Sequence, residues 1–249
     1  MKRLFDSAEH KNIYFNDLSS GQMVQANQHL IIDGNEGMIL DPGGHKIQTA
    51  LFSLMSSVLP INGLKHIFFS HQDPDIIAAA NAWLMVTDAS AYLSGLWMRF
   101  IPHFGVDELV VERIVPLPDE GMNVSMGKCT LKIIPAHFLH SPGNFQVYDP
   151  VSRILYSGDL GASLGNTYDT VEDFDSHIGY MEGFHKRYIA TSKPLKMWAR
   201  MARTLDIEII APQHGAIFPN KELSQRFIEW IDSLSCGVDL MVDSFAVPA

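Results

Sequence analysis

Two hydrophobic patterns alternate along the chain. In the first quarter, short apolar runs in "NIYFND", "MVQANQHLIIDG" and "GMILDPGG" are broken by Gly, Asn and Pro, which predicts short strands joined by tight turns. Asn35 and Gly37 lie between "HLIID" and "GMILD", a spacing that suits a hairpin. The period then lengthens. Ile47, Leu51, Leu54, Met55 and Val58 recur at helical spacing until Pro60 ends the run. A buried strand over 66–70 follows, then a helix from about 75 to 86, the strand-like "SAYLSG", and an aromatic helix or loop over 97–104.

The middle returns to strands in "ERIVPLP", "CTLKIIPA", "NFQVYDP" and "SRILYSGD". From Val171 to Arg203 the pattern is mainly helical, followed by the strand "IEIIAP" and a helix near 221–234. Strands and helices thus come as two similar halves, each with its strands first. A mixed α/β fold is expected, with two β-sheets face to face and helices on the outer faces. No repeat or Ser/Gly-rich linker interrupts the chain, so residues 1–249 read as a single domain.

With 249 residues, 47% of them hydrophobic, the chain can bury a substantial core. Its net charge of -10 opposes binding to phosphate backbones and anionic lipid, so neither nucleic acid nor a membrane surface is an expected partner. The start, "MKRLFDSAEHK", lacks the apolar stretch of a signal peptide, and no window holds the roughly 18 uncharged apolar residues of a membrane span. The cytoplasm is the expected location. Cys129 and Cys236 stand far apart and in no CxxC pattern. They exclude an iron-sulfur cluster on four thiolates and read as two buried, small apolar side chains.

The chemistry begins at "HIFFSHQDPDIIAAANAWLM". An apolar strand stops at Ser70 and His71, and Asp73 and Asp75 flank Pro74 before the next apolar segment. One reading is helix capping, with Asp73 or Asp75 accepting from free amides and Pro74 in the first turn. The other is a metal site at the C-terminal end of a strand. Three more segments share this grammar. "CTLKIIPAHFLHSPGN" leads to His137 and His140, "RILYSGDLGAS" to Asp159, and "IEIIAPQHGAI" to His214. A lone histidine at such a place is usually structural, but four strand-end clusters of Asp and His in one chain favour a divalent first-row metal.

These segments, with "ILDPGG" ahead of them, resemble the metallo-β-lactamase superfamily over roughly residues 25 to 220. Within it they look closest to the di-iron branch: flavodiiron oxygen and nitric oxide reductases, and oxygen-binding di-iron proteins without a flavin domain. Zinc hydrolases of the superfamily carry His-x-His-x-Asp-His in the first motif, where this chain reads His71, Asp73, Asp75, Ile76. A carboxylate for the second histidine marks the iron-binding branch, and the His140 to Asp159 separation matches that branch too.

The resemblance implies an αββα sandwich with two Fe ions at one edge, bridged by an oxo, hydroxo or water ligand. It places one iron on His71, Asp73 and His140, the other on Asp75 and His214, and Asp159 between them. Asp41 corresponds to a supporting position, and His137 matches no ligand position and reads as structural or as a support standing behind the ligands. Isoleucine at position 76 cannot coordinate, so the second metal would have one imidazole and two carboxylates, with open positions and weaker affinity.

The implied activity is dioxygen binding as a sensor or carrier. The few dozen residues after His214 are too few for a flavodoxin domain, so no flavin is expected within this chain. An oxygen or nitric oxide reductase fed by an external donor is the second reading. A metal-dependent hydrolase is the third, opposed by Asp73 and Ile76 in place of histidines. A redox or signalling protein partner and a homodimer both fit the resemblance. The segments 96–104 and 177–188 read either as core with a lid helix or as a dry pocket over the metals, in which Tyr180 or Tyr188 offers a hydroxyl.

Overall fold

The computed structural model describes residues 1–16, 18–242, 245 and 247. The first sheet has seven strands in chain order: β1 (Lys2–Asp6), β2 (His10–Phe15), β3 (Gln28–Asp33), β4 (Glu36–Leu40), β5 (Leu64–Phe68), β6 (Ser90–Ser94) and β7 (Ile114–Leu117). The strands β1 to β4 form an antiparallel meander, and β4 to β7 run parallel. Parallel neighbours need crossovers, which α1 (His45–Ser56), α2 (Pro74–Ile77), α3 (Ala80–Val86) and α4 (Glu108–Val111) supply.

The second sheet has five strands. Within it β8 (Met122–Met126), β9 (Cys129–Pro135), β10 (Phe145–Asp149) and β11 (Ile154–Gly158) pair antiparallel. After α5 (Phe174–Tyr188) and α6 (Ser192–Ala202), β12 (Ile209–Pro212) adds parallel to β11, and α7 (Lys221–Ser233) follows.

Alternation along the strands sends one set of side chains between the sheets. Tyr14, Ile31, Met38 and Phe68 from the first meet Leu131, Ile133, Val147 and Tyr156 from the second. The opposite faces are covered by helices. Ile39, Ile67 and Leu93 pack with Leu51, Met55 and Trp83, while Leu155 and Ile210 pack with Leu195, Trp198 and Phe227. Two sheets with a helical layer on each outer face make the expected αββα sandwich. Truncating a fully buried side chain such as Trp83 would cost about 3–5 kcal/mol.

Local differences from the sequence reading have physical causes. The hairpin forms, but its two-residue loop is Gly34-Asn35, with Gly34 at φ 61, and Gly37 lies inside β4. The expected helix over 75–86 is split, because Ala79 adopts φ -93, ψ 10 and offsets α3 from α2. The aromatic segment is a 3-10 helix, Gly95–Phe104, with Pro102 inside it. Strands β1 and β8 are short and half-exposed, and neither was anticipated from hydrophobicity.

One polar cluster joins the sheets at the edge away from the strand ends discussed below. His10 on β2 places Nδ1 3.0 Å from Asp33 Oδ1 and Nε2 2.7 Å from Asp149 Oδ2. Asn12 and Ser152 also donate to Asp149, at 2.8 and 2.6 Å. Burial disfavours the charged imidazole, yet the carboxylates outweigh it, Asp149 foremost, and raise His10 to about 10.

Candidate metal centre

The other edge collects the strand ends. His71, Asp73 and Asp75 follow β5, His140 lies in the loop after β9, Asp159 comes directly after β11, and His214 after β12. Each strand ends where its backbone leaves the sheet, and the loop or turn that follows carries these polar side chains onto the edge. The edge is drawn tight by backbone bonds: the Phe145 amide donates to the Ser70 carbonyl at 2.9 Å, and the Gln213 amide to Gly158 at 2.7 Å. Gly158 has φ 57, and a Cβ there would sit 3.3 Å from Ser70 Cβ and Oγ, so glycine suits both the conformation and the approach of the sheets.

Asp73 occupies the N-cap position of α2 without making the side-chain cap bond. The capping reading therefore fails for Asp73: its carboxylate turns from the helix toward two imidazoles. Asp73 Oδ2 is 3.6 Å from His71 Nε2 and 3.7 Å from His140 Nε2. Asp159 Oδ2 faces the same pair, 3.7 Å from His71 Nε2 and 2.9 Å from His140 Nε2. The other Asp159 oxygen, Oδ1, is 3.6 Å from His214 Nε2, which is itself 3.3 Å from Asp75 Oδ2. Two donor groups thus share one carboxylate.

Two features test whether these residues suit metal ions. His71 Nε2 and Asp159 Oδ1 are buried with no hydrogen-bond partner, a costly state for polar atoms unless something else engages them. The donors of His71, Asp73 and His140 lie within 4.8 Å of one another, the reach of a single ion. With three imidazoles, three carboxylates and no thiolate, the set suits ferrous iron better than a structural zinc site. The residues fit a pair of irons.

The surroundings orient the rings. His214 Nδ1 donates to the Gln25 carbonyl at 2.5 Å, so that in the neutral ring Nε2 is the nitrogen with the lone pair. His71 Nδ1 is 3.0 Å from Ser70 Oγ, and the Ser70 amide donates to Asp41 Oδ1 at 2.7 Å. Asp41, at φ 47 after β4, is pushed up to about 6, by burial above all, against the pull of the Ser70 amide. Burial also opposes charge on His71 and His214, but Asp159 with Asp73 or Asp75 raises both imidazoles to about 9. Against the cost of its own burial, the facing imidazoles, His71 first, hold Asp159 far below the usual carboxylate range. Without metal, the donors neutralise one another.

The remaining candidates are dispersed. His137 Nε2 donates to the Asp119 carbonyl at 2.8 Å and its ring packs on Phe145, which is a structural role. Tyr188 stacks on Phe184 at 4.8 Å, and both rings lie 5.8 Å from His140. Tyr180 instead meets Tyr168 and His177. Ile76 is fully buried in the outer apolar cluster. Sequence reasoning passed over Ser70, Gln25 and Phe184. Ser70 adjoins His71 and could have been suspected, but Gln25 acts through its carbonyl, which any residue carries.

The profile of the ODP family beta lactamase group matches residues 24–215. The chain belongs to this family. Among solved structures, the ODP-family chain is similar to chemotaxis sensor ODP in two states. The peroxy diiron species is 42% identical with a TM-score of 0.87, covering 96% of this chain and 97% of that one. The apo state from T. denticola is 41% identical with a TM-score of 0.85, covering 96% of each chain. A flavo di-iron protein mutant from Thermotoga maritima is 18% identical with a TM-score of 0.76, covering 93% of this chain and 60% of the other, and shows the shared fold alone. The ODP-family chain spans about a third of the length of the curated relatives it matches, 30% and 36%. No helix among the described residues is long and apolar enough to cross a membrane.

Proposed function

We propose that this protein is a non-haem di-iron protein that binds dioxygen and reports it, acting as a sensor. One iron is assigned to His71, Asp73 and His140, the other to Asp75 and His214, with Asp159 bridging. The observation that carries this reading is the division of Asp159, one oxygen toward His71 and His140 and the other toward His214, inside a thiolate-free donor set. The two structures of chemotaxis sensor ODP, above 40% identity over nearly the whole chain, support it.

A ferrous pair at this edge would supply electrons and open coordination positions to dioxygen. The protein's own residues do the rest. Asp159 fixes the spacing of the two donor groups. Gln25 and Ser70 hold the rings of His214 and His71 so that each Nε2 faces inward. Ile76 donates nothing to the second position, which leaves room there. Phe184 and Tyr188 set their rings beside His140 and pack against it.

Residues 1–249 are taken as one domain working in the cytoplasm, a reading supported by two buried, unpaired cysteines. A signalling protein would receive the output. The deciding experiment is anaerobic ferrous reconstitution followed by oxygen titration, with iron per chain and the visible spectrum recorded. About two irons and a band that forms with oxygen and reverses on its removal would support the sensor. Irreversible oxidation would transfer the assignment to a reductase with an external donor, and failure to retain iron would return it to a hydrolase.

A further inference from the structure

A groove of about 680 Å³ lies between the loop after β9 and helix α6. Its walls include Phe138 and Leu139 on one side and Pro194, Met197, Trp198 and Met201 on the other. Such a lining resembles a ligand or peptide site more than a solvated surface, and it leaves Phe138 50% and Met197 56% exposed. Phe138 also holds a left-handed φ of 66, where its Cβ is crowded. Its half-exposed ring offers apolar area to an occupant of the groove.

The chain supplies an occupant at the groove's own end. The 3-10 turn Gly237–Leu240 is tied down there: Asp239 accepts from Thr191 Oγ1 and from the Ser192 amide, each at 2.7 Å, and the Val238 amide donates to the Ala190 carbonyl at 2.8 Å. Ala190 and Thr191 themselves line the groove. Beyond the turn the sequence reads "MVDSFAVPA", in which Phe245 and Val247 are 94% and 93% exposed. Two apolar residues at alternate positions point to one side of an extended segment. The Met241 amide still bonds the Val238 carbonyl, so Phe245 and Val247 lie four and six residues beyond the turn and reach at most about 14 and 20 Å. Helix α6 is about 16 Å long at 1.5 Å per residue, so Phe245 reaches the half of the groove nearest the turn, Met197 included, and Val247 reaches further. Lys193 on the rim and Asp243 in the segment have opposite charges.

We propose that this groove is a binding site for the chain's own segment 245–247, with Phe245 and Val247 seated between Phe138 and Met197. Tethering favours this occupant over a second copy, because a short linker presents its segment at an effective concentration near millimolar. The docked segment would rest on the loop that leads into His140. The proposal depends on the groove and the tether, and on no metal.

The test uses the full chain with Val247→Cys paired in turn with Met197→Cys, inside the groove, and with Lys196→Cys, exposed on the same helix but outside it. Cys129 and Cys236 are buried and give little background. Under mild oxidation with diamide, the Met197 pair should close within one chain about tenfold faster than the Lys196 pair. Adding Phe245→Asp should abolish that preference. Equal rates for the two pairs would overturn the proposal. Closure chiefly between chains would overturn it as well, by assigning the groove to a second copy.

Discussion

Asp159 Oδ1 and His214 Nε2 stand 3.6 Å apart, on the far side of the same carboxylate whose Oδ2 reaches His140 Nε2 at 2.9 Å. A single residue therefore serves both donor groups. Replacing Asp159 with Ala removes an oxygen from each, and iron per chain should fall from about two to near zero after reconstitution and desalting. His137→Ala, which removes a bond to the Asp119 carbonyl and a ring contact with Phe145, should leave iron content unchanged. Retention of both irons in the Asp159 variant would refute the bridge.

The two groups differ in nitrogen supply. His71 and His140 both face one oxygen of Asp159, whereas His214 alone among these three imidazoles faces the other. His214→Ala should leave about one iron per chain, and His140→Ala should weaken the first position without emptying the second. Metal analysis by plasma emission separates these outcomes. Equal loss from both variants would mean that the positions are coupled and not independent.

The chain from Asp41 through Ser70 to His71 predicts effects at a distance. Ser70→Ala frees His71 Nδ1, and Asp41→Asn weakens the acceptor that anchors the Ser70 amide. Each should reduce iron affinity about 10- to 100-fold, as losses of such orienting partners generally do. Competition with a ferrous chelator would measure it. Unchanged affinity in Ser70→Ala would show that packing alone fixes the ring.

Stability should fall at alkaline pH, with His10 supplying the step at the highest pH. Its folded pKa is raised to about 10 from an ordinary value near 6.5. The protonated ring between Asp33 and Asp149 thus contributes fully below about pH 6.5, and the contribution disappears as pH rises through about 10. Urea midpoints measured from pH 6 to 10 should decline in the wild type. His10→Gln should remove the part of that decline centred near pH 10, leaving the part that His71 and His214 contribute near pH 9, and lower stability at pH 6 by about 3–5 kcal/mol, the usual cost of breaking a buried pair.

Much of this was legible in the sequence. Period-two and helical patterns located most elements, and their order implied two sheets inside two helical layers. The six converging side chains were legible because each sits where a strand's apolar run ends. The capping account of Asp73 could be rejected only from the structure, since an N-cap aspartate that makes its cap bond and one that does not look alike in sequence. His10 was missed for another reason. It reads as a polar strand start, and its partners lie 23 and 139 residues away, beyond any local pattern. Gln25 was invisible because a backbone carbonyl has no side-chain signature.

The two edges of the sandwich are fastened by different means. At one, His10 bonds Asp33 and Asp149 directly, side chain to side chain. At the other, His71, Asp73 and Asp75 from one leaf face His140, Asp159 and His214 from the other, so bound ions would act as a removable clasp. Chelation should therefore let the molecule open like a book: amide exchange rising around Ser70, Gly158 and Gln213 while β2 and the far end of β10 stay closed.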